Sequence, residues 1–326
     1  MNYQHITVEP LTPAIGADIT GVDISQQLSA EVVAEIRAAY LAHLVVFFHD
    51  QALTPAQLVT FSKRFGEIGY YPFVAGMLSQ PEVVAVVKKA DEKINFGGLW
   101  HTDTSYLERP PMGSVLYAVE VPRIGGDTLW NNMYMAFDAL SPVMQKMLEG
   151  LRGVNSAEKP DVAVTRSHRM ADTPKDAKAI VTTTCHPLVR THPETGRKAL
   201  YCAAAHTMHI EGMSVEESRP LLNYLYSVQQ REEFGCRLHW QRGMVAFWDN
   251  RCAQHNALND YHGCRREMHR VTLEGEVPAW HRCRKTSSEQ PTRPSPAAAA
   301  DLVDVSGQCR QRALHDFGEA RQHAQG

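Results

Sequence analysis

Residues 113–132 read GSVLYAVEVPRIGGDTLWNN, two short strand candidates rich in β-branched and aromatic residues and broken by proline and glycine. Segments of the same kind lie on both sides: VVAVVKK (83–89) and HTDTSY (101–106) before it, then PLVRTH (187–192), KALYCA (198–203), CRLHW (236–240), MVAFWDN (244–250) and HRVTLEG (269–275) after it. No regular alternation of strand and helix links them. That pattern predicts a mostly β chain, an antiparallel sandwich or barrel with helices outside it.

Working outward, ITVEPL (6–11) and LVVFF (44–48) read as strands, the second of them buried. Helices are expected at 29–41 with Ser29 as cap, at 54–65 with Thr54 as cap before Pro55, at 136–151 and at 215–226. HPETGR (192–197) reads as a hairpin loop. Residues 152–184 are polar and weakly periodic, which suggests a lid or insertion. From about residue 284 the composition is too poor in apolar residues to order itself, so a single domain over 1–283 followed by a disordered tail over 284–326 is expected.

The 326 residues carry 33 Lys and Arg against 36 Asp and Glu, a formal net charge of −3 that gives no electrostatic footprint for nucleic acid. No apolar run approaches the roughly 20 residues of a membrane span. The N-terminal MNYQHITVEP lacks a basic segment followed by an apolar one, so a cytoplasmic protein is expected. Seven Cys, none in a CxxC pair, read as reduced thiols rather than a disulfide framework or structural zinc site. The unusual count is 16 His.

One group of them has a pattern. In Trp100-His101-Thr102-Asp103, a strand would put His101 and Asp103 on one face and Thr102 on the other. One imidazole and one carboxylate are two thirds of a 2-His-1-carboxylate site, the set that favours non-haem Fe(II) and leaves coordination positions open. Alone, the pair reads equally as a surface salt bridge. His255, after the strand MVAFWDN, is the candidate third ligand. In RREMHRVTLEG, a strand puts Arg266, Met268 and Arg270 on one face and Arg265, Glu267 and His269 on the other. Guanidinium groups aimed into a barrel are costly unless they meet anions, and arginine suits bidentate carboxylate recognition. A solvent-facing strand of alternating charge is the bland alternative.

The ordered set His101-x-Asp103, Thr128 in GGDTLW, His255 and Arg266 resembles the taurine/2,4-dichlorophenoxyacetate (TauD/TfdA) dioxygenase family, with 24 residues between Asp103 and Thr128 and 10 between His255 and Arg266. WHTD, PPMGSVLYA, PRIGGDTLW, HPLVRTHPETGRKALY and WDNR are similar to the family too, over roughly residues 5–278. The resemblance implies a double-stranded β-helix, a cupin-like jelly-roll barrel with iron in its mouth. It implies an Fe(II)- and 2-oxoglutarate-dependent dioxygenase that consumes O₂, hydroxylates a small anionic substrate (a sulfonate, alkyl sulfate, aryloxyalkanoate or other carboxylate) and releases succinate and CO₂. His101, Asp103 and His255 would hold iron, Thr128 and Arg266 the distal carboxylate of 2-oxoglutarate, and Arg270 the substrate's anion. Because Asp103 fills the ligand position that related halogenases leave open, hydroxylation rather than halogenation is expected. Tyr71 and Gly97 stand where the taurine enzyme has polar substrate contacts, which implies a larger or less polar substrate than taurine. Relatives of this kind form dimers or tetramers, so a homo-oligomer is expected.

Two other readings stay open on the residues alone: a jelly-roll binding or sensor protein without turnover, and a zinc hydrolase using the same three ligands. His206 and His209 are expected in packing or the pocket wall. His186 and His192 are expected to be structural, and Tyr106 and Trp248 to be core or pocket wall. If Arg270 does not meet a substrate, its expected partner is an internal acid such as Asp249 or Glu267.

Overall fold

The computed structural model describes residues 3–160 and 182–280. The tail expected over 284–326, and most of the lid expected over 152–184, lie outside the described residues. In chain order the elements are β1 (Thr7–Pro10), β2 (Ala17–Thr20), α1 (Ala30–His43), β3 (Val45–Phe48), α2 (Pro55–Ser62), β4 (Ile68–Gly69), β5 (Val84–Lys88), β6 (Gly113–Glu120) and β7 (Thr128–Asn132). They continue with α3 (Met133–Asp138), α4 (Pro142–Leu148), β8 (Arg152–Ser156), β9 (Thr183–Pro187), β10 (Val189–Thr191), β11 (Lys198–Leu200) and β12 (Thr207–Ile210). Last come α5 (Val215–Gln229), β13 (Gly235–Leu238), β14 (Val245–Asp249), β15 (Ala253–Ala257) and β16 (Arg266–Leu273).

Eight strands form one sheet in the order β1-β2-β3-β14-β6-β16-β4, with β5 also pairing β16. The β2–β3 pair is parallel and the others antiparallel. A smaller sheet, β13-β7-β15, carries His255. This is the jelly-roll architecture, a mostly β chain with helices outside it.

Packing on both faces explains the apolar runs Val45–Phe48 of β3, Val115–Val119 of β6 and Val245–Trp248 of β14. Val46, Phe48, Val115, Tyr117, Val245, Phe247, Val271 and Leu273 pack on Ile36, Ala39 and Tyr40 of α1 and Leu58 and Phe61 of α2. Their neighbours Val45, Phe47, Ala118, Ala246, Trp248 and Met268 turn the other way, into a core with Trp130 and Trp240. Each strand is covered on both faces, so no polar alternation appears in its sequence. Tyr40 stacks on Phe247 with ring centroids 4.1 Å apart, fastening α1 to the sheet.

Helix ends follow local chemistry. Ser29 accepts from the Val32 N–H, and Thr54 and Gln57 form a reciprocal cap with Pro55 in the first turn of α2. The single helix expected over 136–151 is instead two, α3 and α4. Ser141 caps the second and Pro142, which has no N–H to continue the first, opens it. Residues 152–156 and 183–187, the flanks of the expected lid, pair with each other as β8 and β9. HPETGR does close a hairpin, β10–β11, with Gly196 at φ 69°.

Candidate metal centre

His101 meets His255 through an isolated antiparallel bridge, with each backbone N–H donating to the other's carbonyl at 3.0 and 2.9 Å. That bridge places the two rings 4.1 Å apart, centroid to centroid. HTDTSY is not the expected strand. After His101 the chain turns, with Thr104 at φ 41°, so Asp103 reaches the histidines from a turn and not from a shared strand face. The turn is fixed from outside: the Thr102 hydroxyl donates to the Ala253 carbonyl, and the Asp103 N–H to Asn250 Oδ1.

Asp103 Oδ1 lies 3.7 Å from His101 Nε2 and 3.8 Å from His255 Nε2, and all three side chains are buried. His101 Nδ1 sits 2.6 Å from the Leu99 carbonyl, so that nitrogen carries the hydrogen and Nε2 presents its lone pair to the centre. Burial pushes His255 down to about 3, so it is neutral and able to ligate. Burial would raise the Asp103 carboxyl, but His255, His101 and Arg270 outweigh it and hold the acid well below the usual carboxylate range. Its second oxygen, Oδ2, accepts from the Ser114 hydroxyl at 2.8 Å and from Asn250 Nδ2 at 3.2 Å, while Asn250 Oδ1 accepts from Trp248 Nε1. One carboxylate oxygen is thereby spent on orientation and the other faces the imidazoles. Two imidazole nitrogens and one carboxylate oxygen fit Fe(II).

A second cluster, His192, Asp249 and Cys252, has the spacing of a metal site but not its chemistry. Asp249 accepts three bonds from Arg251 and one from His192 Nε2, while His192 Nδ1 accepts from the Glu194 and Thr195 N–H groups. It is a closed ion-pair node, which agrees with a structural His192. It also removes Asp249 as a partner for Arg270.

Two cavities are lined by the candidate histidine ligands, and a third touches Asp103. One is lined by Thr128, Arg266, Trp130, Trp248, His101, His255 and Arg270. There the Thr128 hydroxyl accepts from Trp240 Nε1 at 2.9 Å, and Arg266 is 7 % exposed with Nε and Nη2 unpaired. Burial pushes its guanidinium down from the usual value. The other cavity is lined by Tyr71, Phe96, Gly97, Leu99, Tyr106, His206 and again His101, Asp103 and Arg270. Arg270 Nη1 is 3.5 Å from Asp103 Oδ1, and its guanidinium lies over the Tyr71 and Phe96 rings at 4.7 and 5.7 Å. Arg265, Glu267 and His269 pair among themselves on the opposite face, as strand alternation expects. Gly97, at φ 80°, runs so close that an added Cβ would stand 3.2 Å from His101 Cε1. Arg270, Tyr71 and Gly97 thus share one cavity, and Arg266 and Thr128 share the other. His186 Nε2 donates to the Leu107 carbonyl at 2.8 Å, away from both.

Sequence reasoning missed Ser114, Asn250 and Trp240, which orient the candidate site residues without facing a cavity themselves. Ser114 and Asn250 lie within PPMGSVLYA and WDNR, but those phrases give them no role; only their packing does.

The pattern of the family described as "Taurine catabolism dioxygenase TauD, TfdA family" matches residues 7–272. An alpha-ketoglutarate-dependent sulfate ester dioxygenase of Pseudomonas putida is 35 % identical over 282 residues, covering 84 % of this chain and 91 % of that protein. Among solved structures, a taurine dioxygenase from Burkholderia xenovorans superposes with a TM-score of 0.72 at 37 % identity, covering 85 % and 91 %. AAD-2, solved with Mn(II) and N-oxalylglycine, superposes at 0.71 and 27 % identity, covering 85 % and 100 %. The chain belongs to the TauD/TfdA family of dioxygenases.

Proposed function

We infer that this protein is an Fe(II)- and 2-oxoglutarate-dependent dioxygenase that hydroxylates a small organic anion with an apolar body. The observation that carries the reading is the meeting of three ligand atoms, all within 4.8 Å of one another, with two buried arginines on the walls around them. His101, Asp103 and His255 would hold the metal. Thr128 and Arg266 would take the distal carboxylate of 2-oxoglutarate, and Arg270 the anionic group of the substrate. Bound iron supplies the activation of O₂ that no side chain here provides. The residues themselves do three things. His101 and Asp103 are oriented before the metal arrives, by the Leu99 carbonyl and by Ser114 and Asn250. Arg266 and Arg270 direct two anions to the two cavities. Tyr71, Phe96, Leu99 and Tyr106 wall the substrate cavity with apolar surface and exclude water.

That wall favours an alkyl or aryl anion over taurine, whose charged amine would be buried without a partner. The sulfate ester dioxygenase relative makes an alkyl sulfate the first substrate class to try. The free thiols of Cys185, Cys202, Cys236, Cys252 and Cys264 suit a reducing cytoplasm. Among the described residues no helix is long and apolar enough to cross a membrane. One catalytic domain over 1–283, assembled as a dimer or tetramer, completes the reading.

Anaerobic addition of Fe(II) and 2-oxoglutarate should give a visible absorption band. A panel of alkyl sulfates, sulfonates, aryloxyalkanoates and amino acids, taurine included, should then release succinate in air for the apolar anions first. No band and no succinate with any substrate would sink the reading.

A further inference from the structure

Lys88 closes β5 at 2 % exposure, and its ammonium has no hydrogen-bond partner. The β5–β16 register sets it directly opposite Arg266. Residues opposite each other in an antiparallel pair send their side chains to the same face, with Cβ atoms roughly 4.5–5.5 Å apart. Like charges in that arrangement are destabilising, and burial raises the cost. Lys88 is met by the face of Tyr261, 4.6 Å from the ring centroid, and Arg266 leans towards Trp240 at 5.8 Å. An aromatic face softens a cation but does not neutralise it. The acidic groups that act on Arg266 are the Tyr261 phenol, which is uncharged near neutral pH, and Asp127, both of whose oxygens are already taken, Oδ2 by Arg237 Nε at 2.6 Å and Oδ1 by His239 Nδ1 at 2.8 Å. Two buried cations therefore stand side by side without an anion of their own. A fold tolerates such an excess where a ligand brings the missing charge.

We propose that Lys88 is a positioning residue for 2-oxoglutarate: it stands beside Arg266 and its charge strengthens the hold on the distal carboxylate in the cavity that Arg266 lines. The proposal rests on the reading that Arg266 and Thr128 receive that carboxylate. Lys88 does not itself line the cavity, so it acts through the field at Arg266 and not by contact. Its effect belongs to the cosubstrate alone, because the metal and the substrate anion are served by other groups.

The test compares Lys88→Met, which keeps the stem and removes the charge, with Lys88→Arg, which keeps the charge, and with Arg266→Met as reference. Binding of 2-oxoglutarate and of N-oxalylglycine to the Mn(II)-loaded protein is followed by calorimetry, with Mn(II) affinity, substrate KM and thermal unfolding measured beside it. Removing a cation near an anion at intermediate dielectric should weaken dicarboxylate binding about tenfold in Lys88→Met, and Lys88→Arg should stay within about threefold of the parent. Mn(II) affinity and substrate KM should not move. If Arg266→Met abolishes binding and Lys88→Met leaves it unchanged, the Lys88 proposal is overturned while the site assignment survives. If Arg266→Met also leaves it unchanged, the carboxylate sits elsewhere and both fall. Equal loss in Lys88→Met and Lys88→Arg, or loss of Mn(II) and dicarboxylate binding together, would make Lys88 a packing residue and overturn the proposal. Should Lys88→Met fail to fold, Lys88→Gln is read in the same way.

Discussion

Asp103 illustrates how packing prepares one carboxylate for the proposed role of ligand. Its Oδ2 is held by Ser114 and Asn250, and that leaves Oδ1 as the atom shared by both imidazoles and Arg270. Groups that orient a metal ligand typically contribute 10–100-fold to metal affinity. Asn250→Ala should therefore weaken Mn(II) or Fe(II) binding by about tenfold or more without altering the ligand set, as read by metal titration. Asn250→Asp should be worse than Ala, because a second carboxylate beside Asp103 repels it. Arg270 works in the opposite sense, as a cation 3.5 Å from the same oxygen. Its replacement by Ala should cost the substrate two or more orders of magnitude in affinity, as expected for a buried charge-assisted pair, and should change 2-oxoglutarate affinity much less. An Arg270→Ala enzyme that lost 2-oxoglutarate instead would reverse the assignment of the two arginines.

At the scale of elements, the strands were legible in the sequence because short β-branched and aromatic runs bounded by glycine and proline need only local reading. MVAFWDN and HRVTLEG land on β14 and β16, and the register of β16 delivers Arg266, Met268 and Arg270 to one face. HTDTSY misled for a physical reason: its β-like composition is used in a turn, and the pairing that would have made it a strand is limited to His101. The helix over 136–151 split because Ser141-Pro142 is a start signal lying inside a longer periodic run. Candidate ligands were visible as a pattern in the right order, whereas the roles of Ser114, Asn250 and Trp240 were not, since they exist only as contacts between segments distant in sequence. Gly97 shows the same limit. Its composition says little, but its positive φ and its 3.2 Å approach to His101 make it a spacer for the ring. Gly97→Ala should strain the loop and displace that ring, lowering metal affinity several-fold while the midpoint of thermal unfolding of the metal-free protein falls by only a few degrees. Wild-type metal affinity in that variant would show that the loop yields instead.

At the scale of the whole molecule, two buried histidines and one buried carboxylate shift in the direction that costs stability in acid. Burial pushes His186 down to about 4 and His255 to about 3, and Asp249 is held well below its usual range by Arg251 and His192 against the opposing effect of burial. A histidine whose folded pKa lies below its unfolded one adds stability above about pH 6.5, and that stability is lost as the pH falls towards the folded value. Depressed carboxylates act in the same direction at lower pH. The metal-free protein should accordingly lose stability continuously from about pH 6.5 down to 4, without a plateau, in thermal unfolding at stepped pH. His186→Gln, whose amide can still donate to the Leu107 carbonyl, should flatten that slope, because His186 alone accounts for on the order of 3 kcal/mol across the interval. An unchanged slope in the variant would place the acid sensitivity elsewhere.

β16 carries both arginines with Met268 between them; all three pair with β5, while the pairing with β6 begins at Glu267 and shifts register between Glu267 and Met268. Pairing with β5 runs unbroken from Arg266 to Arg270, so the interval between these two positions is set by the strand. If Arg270 takes the substrate's anion and His101 and His255 hold the metal, as proposed, the atom to be oxidised is selected by how far it lies from the charge. The enzyme is then a ruler: lengthening a substrate's tail should extend it away from the centre and leave the position of hydroxylation, counted from the anion, where it was.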